Sequence, residues 1–227
     1  MEEKNLSRRK KLSKNIPELG LSRSIRDYRR RISLRTPSKI LVIVCEGKVT
    51  EPNYFKAMRQ SLRLQTISIK VIPGKIAPIT VVNTAIEEKN DLDDPNDEVW
   101  CVFDVENPNN NSTIDAAIKK AKEEKLKLAV SNPAFEYWYL IHFECTDRPF
   151  ENAEDVINCL RKYLPNYEKS HNYYPILKER TFEALSNTER LRNLADVSWN
   201  EYPNPSTGID FLISNIIEIS QQSNRPL

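Results

Sequence analysis

The chain has 227 residues, of which 39% are hydrophobic, and a formal net charge of +2. This length is enough to bury a hydrophobic core of enzyme size, either as one domain or as one domain with a smaller appendage. No stretch approaches the roughly 20 apolar residues of a membrane-spanning helix, and no apolar signal core follows the basic N-terminus. We therefore expect a cytoplasmic protein.

Residues 1–38 form a strongly basic segment without a sustained apolar period. We predict an N-terminal arm that does not join the hydrophobic core. Such an arm is either a solvated tail or a contact for the phosphate backbone of a nucleic acid. The candidate nucleic-acid-binding residues are Arg8, Arg9, Lys10, Lys11, Arg29, Arg30, Arg31 and Lys48.

From residue 39 onward, apolar strand-like runs alternate with helical patterns. Strands are expected at residues 39–45, 66–72, 98–103 and 126–130. Helices are expected to begin at Thr50, Pro78, Ser112 and Ala134, with Thr50 and Ser112 as N-caps. This order predicts an α/β fold, with a parallel sheet of about four strands and helices on both faces. The polar run at 90–97 is interpreted as a turn rather than a metal-binding loop.

The pattern changes after residue 144, where helical segments at 153–163, 176–197 and 208–220 are separated by prolines. We predict three parts: the basic arm (1–38), an α/β domain (39–144) and a helical C-terminal subdomain packed on it (145–227). The aromatic helix at 134–143 is expected to contribute a stripe of core residues rather than a base-stacking surface.

Cysteine and histidine content limits the metal and redox sites that the chain can hold. Cys45, Cys101, Cys145 and Cys159 are widely spaced, which argues against a zinc site and a disulfide framework. We expect all four to be small buried residues. For His142, in an apolar helical segment, we favour a core histidine with a satisfied hydrogen bond over a catalytic one.

Two of the predicted strands end in acidic residues, namely Glu46 after the first strand and Asp104 and Glu106 after the third. Parallel strands bring their carboxyl ends to one edge of the sheet, so these side chains should converge. Clustered carboxylates raise one another's pKa unless a cation neutralises them, and oxygen ligands suit Mg²⁺ or Mn²⁺. The sequence therefore predicts a divalent metal site, the alternative being that Glu46 merely begins a turn.

Further residues near the same edge bear on catalysis. Glu51, at the entry to the first helix, either joins the acidic group or interacts with the helix dipole. Glu136 follows the fourth strand and is within reach of the site. Gly47 has no side chain and would let a phosphate approach the strand end. A divalent ion there would suit metal-assisted phosphodiester hydrolysis.

Four motifs in this order resemble the RloB-like family, over the chain from about residue 39 to its end. They are residues 43–55, 99–106, 131–138 and 204–207. The resemblance implies a relation to TOPRIM domains, the metal-binding modules of topoisomerases, primases and OLD-type nucleases. It also implies a toxin nuclease of bacterial abortive-infection and restriction-linked anti-phage defence, encoded beside an ABC-type ATPase.

By this resemblance, Glu46 is the TOPRIM glutamate and Asp104 is the first acid of an Asp-x-Asp pair. Glu106 departs from the pattern, because its carboxylate reaches one methylene farther than that of an aspartate. This departure puts metal preference and rate in doubt more than metal binding. The motif at 204–207 is expected to return the C-terminal subdomain to the active-site edge, with Thr207 capping the last helix.

Together these features predict a nuclease dependent on Mg²⁺ or Mn²⁺. Glu46, Asp104 and Glu106 are its expected metal ligands, and Glu51 and Glu136 are further candidate catalytic residues. The substrate is DNA or RNA, with tRNA among the candidates. The alternative is a catalytically weak subunit, altered at Glu106, that binds nucleic acid or a partner ATPase.

Overall fold

The computed structural model describes residues 39–71, 77–105, 111–194 and 202–223. The fold is α/β, with a five-stranded, mostly parallel sheet, flanking helices and a helical C-terminal part. The strands are β1 (Leu41–Cys45), β2 (Ile67–Val71), β3 (Glu98–Asp104), β4 (Lys127–Asn132) and β5 (Ser206–Thr207). The predicted basic arm, residues 1–38, lies outside the described ranges.

Helices follow each of the first four strands, as the alternating sequence pattern predicts. They are α1 (Thr50–Ser61), α2 (Pro78–Asn90), α3 (Asn111–Glu123), α4 (Glu136–Ile141), α5 (Ala153–Leu160), α6 (Tyr174–Leu177), α7 (Thr181–Leu194) and α8 (Ile209–Ser223). A short 3₁₀ helix, Lys178–Arg180, joins α6 to α7. None of the helices in the described ranges combines the length and the apolar character needed to cross a membrane.

The strands are arranged in the order β2-β1-β3-β4-β5, and the first four are parallel. Alternate side chains of β1 enter two separate hydrophobic clusters, because successive residues of a strand point to opposite faces. Leu41, Ile43 and Cys45 pack on one face, together with residues of α1, α4 and α8. Val42 and Val44 pack on the other face with residues of α2 and α3. The prediction of helices on both faces is confirmed.

The sheet has a topological switch point between β1 and β3. The chain passes from β1 through α1 to β2 on one side, and from β3 through α3 to β4 on the other. Helices α1 and α3 pack on opposite faces. Such a point leaves a crevice at the carboxyl ends of its two strands, which is where open α/β sheets bind their ligands.

The fifth strand was not predicted. It contains two residues and pairs antiparallel with the end of β4, where Ser131 lies opposite Thr207 and Asn132 opposite Ser206. The next residue continues the attachment, since Gly208 N donates to Val130 O over 2.8 Å. So short a polar strand has no apolar alternation that a sequence pattern would reveal.

The C-terminal helices share a hydrophobic cluster with the sheet. Aromatic residues of α4, among them Trp138 and Tyr139, pack in one cluster with Leu160 of α5 and Ile213 of α8. The expectation that the aromatic helix supplies core residues is confirmed. The boundary at residue 144 stays a prediction.

Both predicted N-caps are wrong. Val49 is the N-cap residue of α1, and no side chain caps that helix. Thr50 is instead a buried first residue of the helix, and its hydroxyl contacts a carboxylate of another element. Helix α3 begins at Asn111, so Ser112 is its second residue.

Other sequence expectations hold in part. Cys45 and Cys101 are buried as predicted, but Cys145 is exposed and Cys159 is half-buried, so the prediction is wrong for these two. His142 is a core histidine whose Nδ1 lies 2.8 Å from the Trp138 carbonyl oxygen. The run after α2 forms the expected turn, in which Asp94 accepts a hydrogen bond from the Asn96 backbone.

Candidate metal centre

Glu46 and Asp104 meet at the switch point, as their positions at two strand ends predict. Strands β1 and β3 are in register with Cys45 opposite Val102, and Glu46 N donates to Val102 O over 3.0 Å. Beyond this pair, Asp104 N donates to Glu46 Oε2 over 3.3 Å. The backbone of one acid therefore positions the carboxylate of the other.

Asp104 is half-buried, and its carboxyl group interacts electrostatically with three other acids. Burial raises its pKa well above the ordinary value, and the charges of Glu51, Glu136 and Glu46 raise it further. A backbone hydrogen bond from Phe135 acts in the opposite direction. In the part of the chain that the structure describes, Asp104 Oδ1 is shielded from water and has no hydrogen-bond partner. Ionised Asp104 therefore needs a cation nearby.

Glu51 belongs to this group although it lies in the first turn of α1. Its side chain is 6% exposed. Burial, together with the charge of Glu136, raises the pKa of Glu51 to about 7. Hydrogen bonds from the backbones of Glu51 and Gly47, and the charge of Lys169, act in the opposite direction. A helix dipole alone would lower the pKa of a carboxyl group at this position. Burial and the neighbouring acid instead raise it.

The residue after Glu46 is a glycine, and the Glu51 side chain occupies the space beside it. A Cβ atom at Gly47 would overlap the carboxylate of Glu51, which lies directly against the glycine backbone. In this structure the Glu51 side chain occupies that space, and the interpretation that Gly47 leaves room for a phosphate stays a prediction.

Glu136 is the first residue of α4 and is 2% exposed. Three donor groups contact the same one of its two carboxylate oxygens. Its Oε1 accepts a hydrogen bond from Tyr167 Oη at 3.0 Å and one from Thr50 Oγ1 at 3.5 Å. Lys169 Nζ lies 3.3 Å from the same oxygen. The carboxylate is thus fixed by groups from α1 and from the loop before α6.

We call Glu46, Glu51, Asp104 and Glu136 the acid cluster. Sequence reasoning identified all four residues but missed the groups that hold them, namely Thr50, Tyr167 and Lys169. Tyr167 and Lys169 lie in the loop between α5 and α6, 31 and 33 residues beyond Glu136. No spacing or composition rule connects residues so far apart.

Several predicted site residues lie outside the described ranges. These are Glu106, Arg8, Arg9, Lys10, Lys11, Arg29, Arg30 and Arg31. Lys48 is described and is exposed next to Gly47. Within the described ranges, no group of three or more acidic, histidine or cysteine side chains forms a ready-made metal site.

The donor chemistry of the acid cluster fits a hard divalent cation. Its ligand atoms are carboxylate oxygens, which Mg²⁺ and Mn²⁺ prefer over nitrogen or sulfur. The unpartnered Oδ1 of Asp104 and the hydrogen-bonded Oε2 of Glu46 belong to adjacent strand ends. An ion held by Glu46 and Asp104 would offset the repulsion that raises the pKa of Asp104.

The motif at 204–207 attaches the C-terminal part to the end of β4. Asn204 Oδ1 accepts from Phe150 N at 3.1 Å, and Asn204 Nδ2 donates to Phe150 O at 2.7 Å. Thr207 Oγ1 lies 3.3 Å from Ser131 Oγ and accepts from Ile209 N at 3.2 Å. The expected contact of Thr207 with the start of the last helix is confirmed.

Comparison with known proteins gives a family but no individual relative. No curated protein and no solved structure matches the chain. The model of the family described as RloB-like protein matches residues 41–216, which include the whole acid cluster and the motif at 204–207. With most of its length covered by that match, the chain belongs to the RloB-like family.

Proposed function

We propose that this protein is a divalent-metal-dependent nuclease of the TOPRIM type that hydrolyses phosphodiester bonds of DNA or RNA. The observation that carries the proposal is the contact between Glu46 and Asp104 at the switch point, with Asp104 Oδ1 buried and unpartnered among the described residues. The location is supported by the general preference of open α/β sheets for binding ligands at such points.

In this proposal Glu46 and Asp104 hold Mg²⁺ or Mn²⁺, and Glu106 is their third ligand. When bound, the ion would polarise the phosphodiester and supply a metal-activated water. Asp104 must be ionised to bind it, and the Phe135 backbone hydrogen bond favours that form. Hydrogen bonding from Asp104 N keeps Glu46 Oε2 at the same edge.

Glu51 is the candidate general base. Its pKa of about 7 means that both its protonated and its ionised forms are present at neutral pH, which is the condition for efficient proton transfer. The carboxylate lies against the Gly47 backbone, two residues beyond the end of β1, and accepts a hydrogen bond from it. Glu51 would accept a proton there from the attacking water.

Glu136 supports the other acids. Tyr167 and Thr50 fix its carboxylate, and its charge raises the pKa of both Asp104 and Glu51. Loss of this charge would lower the pKa of Glu51 and shift its range as a base to lower pH. Glu136 thereby contributes to catalysis through its neighbours.

Substrate binding is assigned to the basic residues. Lys48 is exposed next to the acid cluster in sequence, and the clusters Arg8–Lys11 and Arg29–Arg31 supply further charge. Lysine and arginine contacts to phosphates make binding strongly dependent on salt. We propose that these residues hold the nucleic-acid backbone during cleavage.

The family supports a biological setting for this activity. We propose a cytoplasmic effector of anti-phage defence, of the abortive-infection or restriction-linked kind, that works with an ABC-type ATPase. The alternative is a catalytically weak subunit that binds nucleic acid or the ATPase, because Glu106 replaces the aspartate of the family pattern.

A cleavage assay separates the two functions. The full-length protein is incubated with single- and double-stranded DNA, with RNA and with tRNA, each with Mg²⁺, Mn²⁺ or EDTA. The variants are Asp104→Asn and Glu46→Gln, and the control is Asp115→Asn, an exposed acid of α3. We expect metal-dependent cleavage that falls by about 100-fold or more in the two site variants and not in the control.

Two results would contradict the proposal. One is cleavage by Asp104→Asn and Glu46→Gln at the wild-type rate. The other is no cleavage of any substrate with either metal. In the second case, retained binding of nucleic acid by the inactive protein would favour the alternative function.

A further inference from the structure

A lysine from the C-terminal part lies against the acid cluster. Lys169 Nζ is 3.3 Å from Glu136 Oε1, and its side chain is 57% exposed while that of Glu136 is 3% exposed. The charged end of Lys169 thus lies at the solvent side of a buried carboxylate.

The charge of Lys169 acts on more than its direct partner. Partial burial lowers its pKa, but attraction to Glu136, Asp104 and Glu51 outweighs burial, and the net shift is upward. Lys169 in turn lowers the pKa of Glu51. The side chain therefore remains an ammonium ion that offsets part of the negative charge of the cluster.

The backbone around Lys169 is fixed while its side chain is not enclosed. Asn53 Nδ2 of α1 donates to Ser170 O at 3.3 Å, and Glu168 N donates to Tyr173 Oη at 2.9 Å. Tyr167 stacks on Tyr173 with ring centroids 5.1 Å apart. An anchored backbone with a long, half-exposed side chain lets the ammonium group leave Glu136 without rearrangement of the loop.

We propose that Lys169 is the resident counter-ion of the acid cluster, and that it competes with the divalent ion and sets the affinity of the site for metal. The inference rests on the proposed metal site. Lys169 pairs with Glu136 and interacts electrostatically with Asp104, so its positive charge opposes the binding of a second cation by Glu46 and Asp104 unless the ammonium group moves away. Lys169 is thus a positioning residue that tunes the metal rather than a ligand.

Lys169 is one of three groups that contact Glu136 Oε1, and the other two are neutral hydroxyl donors. Tyr167 and Thr50 donate to the same oxygen and would remain in place after Lys169 is replaced. Removal of the lysine therefore removes a positive charge with little change in the geometry of the carboxylates. This separation makes the electrostatic effect measurable.

The test is direct Mn²⁺ binding, followed by electron paramagnetic resonance, to the full-length protein without nucleic acid. The variants are Lys169→Met, Lys169→Arg and Tyr167→Phe, with Lys178→Met as control because Lys178 pairs with Glu179 instead. Because Lys169→Met removes one positive charge that interacts with Asp104, we expect it to bind Mn²⁺ about fivefold more tightly. Lys169→Arg keeps the charge and should resemble wild type.

Tyr167→Phe distinguishes charge from hydrogen bonding. It removes a neutral donor to the same Glu136 oxygen, so it should not tighten Mn²⁺ binding. Thermal unfolding of each variant verifies that it is folded.

The outcomes are distinct. Equal or weaker Mn²⁺ binding by folded Lys169→Met would overturn this inference while leaving the metal site intact. Tighter binding by Tyr167→Phe to the same extent would also overturn it, since the effect would then not be one of charge. A wild-type protein that binds no Mn²⁺ would overturn both this inference and the proposed function.

Discussion

The backbone N–H of Asp104 donates a hydrogen bond to Glu46 Oε2 over 3.3 Å, although 58 residues separate the two acids. The contact follows from the parallel register of β1 and β3, in which Cys45 lies opposite Val102. Because the backbone fixes this relationship, the proposed metal ligands are positioned by the sheet itself.

The first prediction concerns the glycine beside the acid cluster. In Gly47→Ala, the new Cβ would overlap the Glu51 carboxylate, so the side chain or the backbone must move. Because the clashing atoms are the end of a flexible side chain, we expect a loss in the free energy of unfolding at the low end for overpacked sites, about 1 kcal/mol. Urea unfolding followed by circular dichroism measures this change.

Gly208→Ala is the matched control for this substitution. There the nearest atom to a new Cβ is Val130 N at 3.4 Å, an ordinary contact distance. We expect little loss of stability at Gly208. The double variant Gly47→Ala with Glu51→Ala should recover part of the loss, and no recovery would show that the clash is not with Glu51.

A second prediction concerns the pH dependence of stability. Burial lowers the pKa of His142 from 6.5 to about 4, and the charge of Arg180 lowers it as well. A hydrogen bond to the Trp138 backbone acts in the opposite direction. The unfolded chain therefore binds a proton between these pH values while the folded protein does not. The contribution of His142 to stability falls as pH decreases from 6.5 towards 4.

The size of the effect is measured by comparison with His142→Phe, which cannot titrate. At pH 4.5, protonation of the unfolded chain should cost the wild type about 2 kcal/mol of unfolding free energy relative to pH 7. The variant has no imidazole to protonate. The difference in unfolding free energy between wild type and variant should therefore change by about 2 kcal/mol between pH 7 and pH 4.5. An unchanged difference at the two pH values would contradict a buried, neutral His142.

A third prediction assigns a structural role to Asn204 of the motif at 204–207. Its amide both accepts from and donates to the Phe150 backbone. Asn204→Asp loses the donor and brings a carboxylate towards the Phe150 carbonyl oxygen. We expect a loss of about 1–3 kcal/mol in unfolding free energy, the cost of leaving a buried polar group unpaired.

Asn158→Asp is the control, because Asn158 is exposed and uses its oxygen to accept from Arg161. It should leave stability nearly unchanged. Mn²⁺ binding should survive in folded Asn204→Asp. Full stability combined with lost Mn²⁺ binding would instead place Asn204 in the metal site.

The sequence predicted the parts of the fold that follow from local apolar patterns. The strands around Leu41–Cys45 and Glu98–Asp104, the flanking helices and the convergence of Glu46 with Asp104 are all visible as short patterns. Strand β5 was missed because its two residues acquire their conformation only by pairing with β4.

The supporting residues of the site could not be predicted for a different physical reason. Thr50 was expected to cap a helix, but its hydroxyl and that of Tyr167 are both directed at Glu136 by tertiary packing. For Glu51, the choice between the helix dipole and the acid cluster depends on burial, which raises the pKa of its side chain. Burial is a property of the folded structure, so the sequence left both roles open.

The most direct test of a metal site at Glu46 and Asp104 is the position of Mn²⁺ in a crystal of the full-length protein, located by its anomalous scattering. We expect an anomalous peak within roughly 2.5 Å of carboxylate oxygens of both residues. We expect no such peak in crystals of Asp104→Asn. A Mn²⁺ ion bound elsewhere, or one that stays in place in Asp104→Asn, would contradict it.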